Sequence, residues 1–378
     1  MSSLRNIAVV GFAQAPIVAR DEHNTAQEML YPQVRRALAQ CGVERDDIDY
    51  QVSGSSDYID GRPFGFVGAL DVMGSWPPRQ DLHLEMDGIF GAYYAWLKMQ
   101  TGECDTAIVC GFGKTSEGEP VRLGNLQLDP YYQGAIGLDL LSTAALQASA
   151  YIARERVTDA ELAEVVARNR AAGAQNPNAQ LREAISAEEL RRTPWAVAPL
   201  RNGYISPFGE SAVCLVLAAE GRAEKMCERP AWIHGVDQRA ELQSLGSRDI
   251  SRSASTRLAT EKALAMAELG SVSEADVVEL TATTPAEELI LREAMGLPSP
   301  ITTGSESSPP INPSGGPLCG NPLMMTGLIR LGEVFQQIAG LAGEHAVGNV
   351  RRGLAHGSSG HCLQHNLVFV LGSERRWS

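Results

Sequence analysis

Short runs rich in β-branched and aliphatic residues alternate along this chain with longer stretches whose apolar positions recur every three to four residues. Ile7-Ala8-Val9-Val10-Gly11-Phe12 predicts a first strand, and residues 26–41 predict an amphipathic helix. Strands follow at 50–53 and 82–85, then a helix at 86–99 and the strand Thr106-Ala107-Ile108-Val109-Cys110-Gly111. Half a chain later the rhythm returns. Trp232-Ile233-His234-Gly235-Val236 matches the first strand, 254–269 the first long helix, and Val277-Val278-Glu279-Leu280-Thr281 the strand after it. The segment 312–337 and the strand Asn366-Leu367-Val368-Phe369-Val370-Leu371 complete the set. Alternating strands and helices predict an α/β fold, and the repeated order predicts duplicated βαβ halves, one in residues 1–230 and one in 231–378. Within the first half, about 112–202, the composition turns to Arg, Asn, Gln and Pro around a helical stretch at 159–172. It reads as an inserted loop region, and such loops gather at the carboxyl ends of strands, where ligands bind.

Composition narrows the classes. At 378 residues, 44% apolar and 20% charged, the chain is long enough for two core-forming units. No apolar run approaches the ~20 residues of a membrane span, and the first residues lack the pattern of a signal peptide, so the expectation is a soluble cytoplasmic protein with no membrane contact. Seven scattered cysteines without a C-x-x-C pair suit a reducing compartment and predict neither a zinc site nor a disulfide framework. A formal charge of −13 argues against nucleic-acid binding.

Three blocks carry a family resemblance. Asn312-Pro313-Ser314-Gly315-Gly316-Pro317-Leu318-Cys319-Gly320-Asn321-Pro322 resembles the Asn-x-x-Gly-Gly…Gly-His-Pro block of thiolases. Ala355-His356-Gly357-Ser358-Ser359-Gly360 with Leu363-Gln364-His365-Asn366-Leu367 resembles the last active-site loop and strand of the sterol carrier protein-type thiolases, and Ser206-Pro207-Phe208-Gly209-Glu210-Ser211-Ala212 is similar to the segment that closes their first half. The resemblance implies a layered α-β-α-β-α sandwich. It also exposes departures: the nucleophilic cysteine falls on Glu85, the residue of the second-half acidic-strand motif on Thr281, the Gly-His-Pro histidine on Asn321, and the C-terminal cysteine on Ala355. Without a thiol nucleophile or a cysteine acid, thiolysis or synthesis of a 3-ketoacyl thioester has no covalent route.

A retro-aldol cleavage of a 3-hydroxyacyl-CoA passes through the same thioester enolate and needs no acyl-enzyme. It needs a base for the 3-hydroxyl, an oxyanion site and an acid for the α-carbon. The resemblance extends to the lipid-transfer-protein subgroup of bacterial steroid side-chain aldolases. Glu85 and Asp87 are rival bases at a predicted helix start, where N-capping is the alternative role. His356 is a candidate acid or base, and Asn321 a hydrogen-bond donor to the enolate oxygen. Gly315, Gly316, Gly357 and Gly360 are candidate backbone donors or tight turns, and Tyr131 and Tyr204, with Tyr132, candidate contacts to a bulky ligand. Lys114, Arg122 and Arg201 are possible phosphate contacts. His83 and His361 read as structural.

Two functions follow: an aldolase releasing a short acyl-CoA and an aldehyde or ketone, with no metal and no cofactor beyond its thioester substrate, or a non-catalytic thiolase-like subunit that binds acyl-CoA or lipid. The resemblance further implies a dimer, homo- or heteromeric, formed through the strand before the helix at 86–99, and an OB-fold, zinc-ribbon partner protein.

Overall fold

The computed structural model describes residues 4–61, 64–298 and 308–377. Its strands are β1 (Ile7–Gln14), β2 (Tyr50–Gly54), β3 (Gln80–Leu84), β4 (Thr106–Gly113), β5 (Trp195–Val197), β6 (Leu200–Arg201), β7 (Ser211–Ala219), β8 (Ala231–Ala240), β9 (Val277–Glu279), β10 (Arg352–Ser359) and β11 (His365–Gly372). The helices are α1 (Ala26–Cys41), α2 (Gly65–Met73), α3 (Gly88–Gln100), α4 (Pro120–Leu126), α5 (Leu140–Glu155), α6 (Asp159–Gly173), α7 (Ala187–Arg192), α8 (Ala223–Met226), α9 (Ala254–Met266), α10 (Pro285–Ala294) and α11 (Thr326–Ala339). No described helix is long and apolar enough to cross a membrane.

Nine strands form one sheet in the order β3-β2-β4-β7-β1-β8-β11-β10-β9. Its seam is narrow: β1 meets β8 only through Ala8 opposite Trp232 and Val9 opposite Ala231. On either side of that seam four strands pair alike, and β3, parallel to β2, is a further edge strand on one side. The β2–β4 and β9–β10 pairs are parallel, while β4–β7 and β7–β1 on one side, and β10–β11 and β11–β8 on the other, are antiparallel. The duplication read from the sequence is therefore a duplication of strand pairing, with α1 following β1 as α9 follows β8.

Alternation along each strand builds the layers, because successive side chains leave a sheet on opposite faces. Val213, Leu215 and Leu217 of β7 enter one core with Leu367, Phe369 and Leu371 of β11, together with Phe90 of α3 and Leu328 and Phe335 of α11. Their neighbours Cys214 and Val216 join α1 in a second core, and Val368 and Val370 join α9 and α10 in a third. Both faces of each half-sheet are covered, which explains why these strands read as continuous apolar runs. The result is the α-β-α-β-α sandwich, with α3 and α11 side by side in the middle layer.

The middle layer also holds charge. Arg330 of α11 is ion-paired with Glu279 at the end of β9 and bonded to Ser314, with all three buried. Removing one partner of a buried pair leaves a naked charge, which costs more than losing the attraction itself. Arg330→Leu is expected to lower unfolding free energy by ~3–5 kcal/mol in a urea titration. A loss under ~1 kcal/mol would mean the pair contributes little.

Candidate active site

A cavity of about 150 Å³ opens where the N-termini of α3 and α11 meet the segments that follow β9 and β10. Its floor is polar, formed by Asp87, Asn321, Thr281, Thr283, Glu287, Ser358 and Ser359. Its wall is mainly apolar and comes largely from the inserted region, where α4 and α5 supply Pro120, Leu140, Leu141 and Ala144 opposite Phe208 and Leu323.

Asp87 anchors the floor. It N-caps α3, and its Oδ1 accepts the Ile89 N–H at 3.0 Å. The same carboxylate caps α11, with Oδ2 accepting from Gly327 at 2.8 Å and Oδ1 from Leu328 at 3.1 Å. One side chain thus satisfies donors at two helix N-termini, where each macrodipole favours negative charge. Burial nevertheless dominates and pushes its carboxyl up to about 6, against the downward pull of the three N–H groups and of Arg330.

Asn321 lies across the floor, held by backbone bonds on both sides: its N–H donates to Pro207 and its carbonyl accepts from Gly209. Its Oδ1 accepts from the Thr326 hydroxyl at 2.6 Å, which leaves Nδ2 free of any partner among the described residues and able to donate into the cavity. The Ser358 and Ser359 hydroxyls are likewise unbonded among the described residues. Glu287, on the first turn of α10, is a second carboxyl of the floor, raised above its ordinary range by burial. His361 also lines the cavity, with Nε2 donating to the Gly124 carbonyl and Nδ1 facing the Thr143 hydroxyl, both at 2.8 Å, and burial lowers its pKa. The one cysteine among the cavity-lining residues is Cys362. Its thiol donates to the Thr143 carbonyl, and burial pushes it up to about 12, so it carries no thiolate near neutrality.

Of the residues singled out in the sequence, Asp87, Asn321 and Gly360 line this cavity, as does Thr281. Glu85 does not. It follows β3 before the helix begins, is half-exposed, and accepts the Asp57 N–H at 3.2 Å beside His83. Asp57, His83 and Glu85 form the one cluster of metal-ligand type among the described residues, and the Asp57 oxygens are already bound to the N–H groups of Phe64 and Gly65. His356 is a correction of a different kind. Residues 355–360 read as a loop, yet 352–359 are a strand paired throughout with β11. His356 lies opposite Val368 and turns to the outer layer, where Nε2 meets Asn366 Oδ1 at 3.0 Å; burial lowers it to about 4. Ala355, placed at the family cysteine, points into the middle core, so the end of this strand reaches the cavity only from Ser358 onward.

The remaining glycines and aromatics do not line the cavity. Gly315 at φ +91 abuts Gly173 of α6, Gly316 at φ +60 abuts Asn312, and Gly357 lies so close to Ile89 that a Cβ would come within 2.3 Å of it. Tyr131 and Tyr132 are 82% and 81% exposed and line no part of the cavity. Tyr204 is buried, and its hydroxyl donates to Asp159 at 2.7 Å. Lys114 is buried against Glu210, Arg201 pairs with Asp159 over the Trp195 ring, and Arg122 is exposed beside Glu119. Sequence reasoning missed Glu287 and passed over His361 and the Ser358-Ser359 pair. The available signal for Glu287 was its position at the first turn of the helix that follows Thr281.

Comparison with known proteins agrees with the fold. Residues 238–373 match the thiolase C-terminal domain-like family. Acetyl-CoA acetyltransferase of Methanothermobacter thermautotrophicus is 25% identical over 276 residues, 70% of this chain and 72% of that protein. Sterol carrier protein 2 of Gallus gallus is 27% identical over 210 residues, 51% of this chain and 38% of that longer protein. Among solved structures, the Ltp2-ChsH2(DUF35) aldolase superposes with a TM-score of 0.82 at 18% identity, covering 98% of each chain. The whole chain thus has a thiolase-like fold, and its residues 238–373 match the thiolase C-terminal domain-like family.

Because the folded pKa of Asp87 lies above the unfolded one, the native state holds that proton more tightly, and stability falls as pH rises from about 4 to about 6. The decline amounts to roughly 2–3 kcal/mol. In Asp87→Asn this part of the pH dependence is expected to vanish, whatever the variant's overall stability, when unfolding free energies are compared at pH 4 and pH 7. Equal slopes for variant and parent would contradict it.

Proposed function

We propose that the chain is a carbon–carbon lyase that splits a 3-hydroxyacyl-CoA in the retro-aldol direction into a short acyl-CoA and an aldehyde or ketone. The observation that carries this reading is a buried carboxylate, Asp87, at two helix N-termini in a cavity whose one cysteine is held as a neutral thiol. The match to a solved aldolase of the same fold supports it. The acetyltransferase name of one relative does not fit a cavity without a reactive thiolate.

In this reading Asp87 is the base. Three of the lone-pair positions of its carboxylate are taken by N–H groups and one remains for the 3-hydroxyl proton. A carboxyl titrating at about 6 is suited to take a proton near neutral pH. Proton uptake also removes the charge that offset the two helix dipoles, so their positive ends then act on the enolate as it forms. Asn321 Nδ2 and the Ser358 hydroxyl supply hydrogen bonds to the thioester oxygen. The apolar wall suits a large hydrocarbon body such as a steroid side chain, with the nucleotide end of CoA outside the cavity. The chemistry uses no cofactor besides the thioester. A thiolase-like second subunit at the open edge of β3 and an OB-fold, zinc-ribbon protein complete the proposed assembly, in the cytoplasm; the neighbouring aldolase carries its own ChsH2 companion in its name.

Incubation with a steroid-side-chain 3-hydroxyacyl-CoA, alone and with such a companion, is expected to give acyl-CoA and carbonyl product, unaffected by iodoacetamide. The rate should fall on the acid side with a midpoint near 6, and Asp87→Asn should lower it by ~10²-fold or more. Inactivation by thiol alkylation would contradict the reading, and absence of turnover in every combination would favour the non-catalytic subunit.

A further inference from the structure

Glu287 is a buried acid with no cation paired to it among the described residues. Its neighbour in sequence, Glu288, shows what a structural carboxylate on the same helix looks like: it is ion-paired with Arg168 and accepts the Asn169 amide at 2.7 Å. Among the described residues, the Glu287 carboxyl accepts only from Thr283. A single oxygen, Oε2, accepts both the Thr283 N–H at 2.7 Å and the Thr283 hydroxyl at 2.6 Å. Its other oxygen has no hydrogen-bond partner among the described residues, although the side chain is 8% exposed and lines the cavity. A carboxylate kept in such a place without a counter-charge is costly for stability, and a protonated carboxyl costs far less.

We propose that Glu287 is the catalytic acid that protonates the α-carbon of the enolate, with its free oxygen Oε1 as the donor. This assignment rests on the lyase reading above. The two floor carboxyls then divide the work according to their hydrogen bonds. Asp87 receives donors on both oxygens, which favours its anion, whereas Glu287 receives them on one and burial favours its acid form. The step balances: Asp87 takes the 3-hydroxyl proton, the C2–C3 bond breaks with its electron pair passing into the thioester enolate, and the C3–O bond becomes the product carbonyl. The enolate pair then takes the Glu287 proton onto C2. Each carboxyl returns to its starting state by exchange with water.

The reverse of the last half-step is an activity in its own right. Glu287, ionised after turnover, can remove an α-proton from the released acyl-CoA and return a deuteron in D₂O, without any carbonyl partner. Acetyl-CoA and propionyl-CoA are the probes, with α-deuterium incorporation followed by mass spectrometry and cleavage followed separately. The parent protein is expected to exchange α-protons. Glu287→Gln, isosteric and checked for an unchanged near-ultraviolet circular dichroism spectrum, is expected to lose exchange by ~10²-fold or more, with partial recovery in Glu287→Asp. Exchange that survives in Glu287→Gln overturns the assignment while leaving cleavage by the parent intact. Absence of cleavage by the parent overturns the underlying reading instead.

Discussion

The α3 and α11 helices run side by side through the middle layer, and each presents backbone N–H groups that need acceptors where they emerge at the cavity. A single carboxylate answers both. Asp87 accepts from Ile89 on one helix and from Gly327 and Leu328 on the other, so the relative placement of the two halves of the fold and the charge on the cavity floor are fixed by the same atoms. The approach is tight: a Cβ on Gly327 would come within 2.8 Å of Asp87 Oδ1, and one on Gly88 within 2.9 Å of Leu328. The group is caught between two opposing demands, since helix dipoles favour its charge and burial opposes it. That balance suits a proton carrier better than either influence alone.

The rest of the site follows from layering. Covering both faces of each half-sheet leaves only the strand ends and helix starts free to meet, and every polar residue of the cavity floor comes from such a position. Thr281 lies past β9, Ser358 and Ser359 at the end of β10, Asn321 ahead of α11, and Glu287 on the first turn of α10. The inserted helices α4 and α5 contribute the apolar wall. Polar chemistry is thus carried by the duplicated frame, and the apolar side of the pocket largely by the segment inserted in the first half.

Much of this frame is legible in the sequence. The helix read at 26–41 is α1 to the residue, opened by a capping box between Thr25 and Glu28 and closed by Gly42 in a left-handed conformation. The strands read at 50–53, 106–111 and 366–371 each fall within a residue or two of the observed ones, because continuous apolar runs leave little alternative in a sheet buried on both faces. The site was harder for specific reasons. Counting into the β3–α3 junction places Glu85 in the slot of the family's nucleophile, but α3 starts at Gly88, so the residue that faces inward is Asp87. The Gly- and Ser-rich segment 352–359 has a loop's composition and a strand's pairing, and the alternation of a strand carries His356 away from the cavity while its end brings Ser358 in. Two arginines separate Glu287 from Glu288: Arg292, four residues on, and Arg168, from a helix about 120 residues earlier, both pair with Glu288, and the second is beyond the reach of a local reading.

The proposed cleavage depends on Asp87 exchanging a proton near neutrality in spite of its three N–H donors. Titration of the protein carrying ¹³C-labelled aspartate carboxyls, read by NMR and assigned by the signal missing from Asp87→Asn, measures this directly. The account predicts a midpoint near 6 for that carboxyl. A midpoint at or below the ordinary 3.8 would show a purely structural helix cap and contradict it.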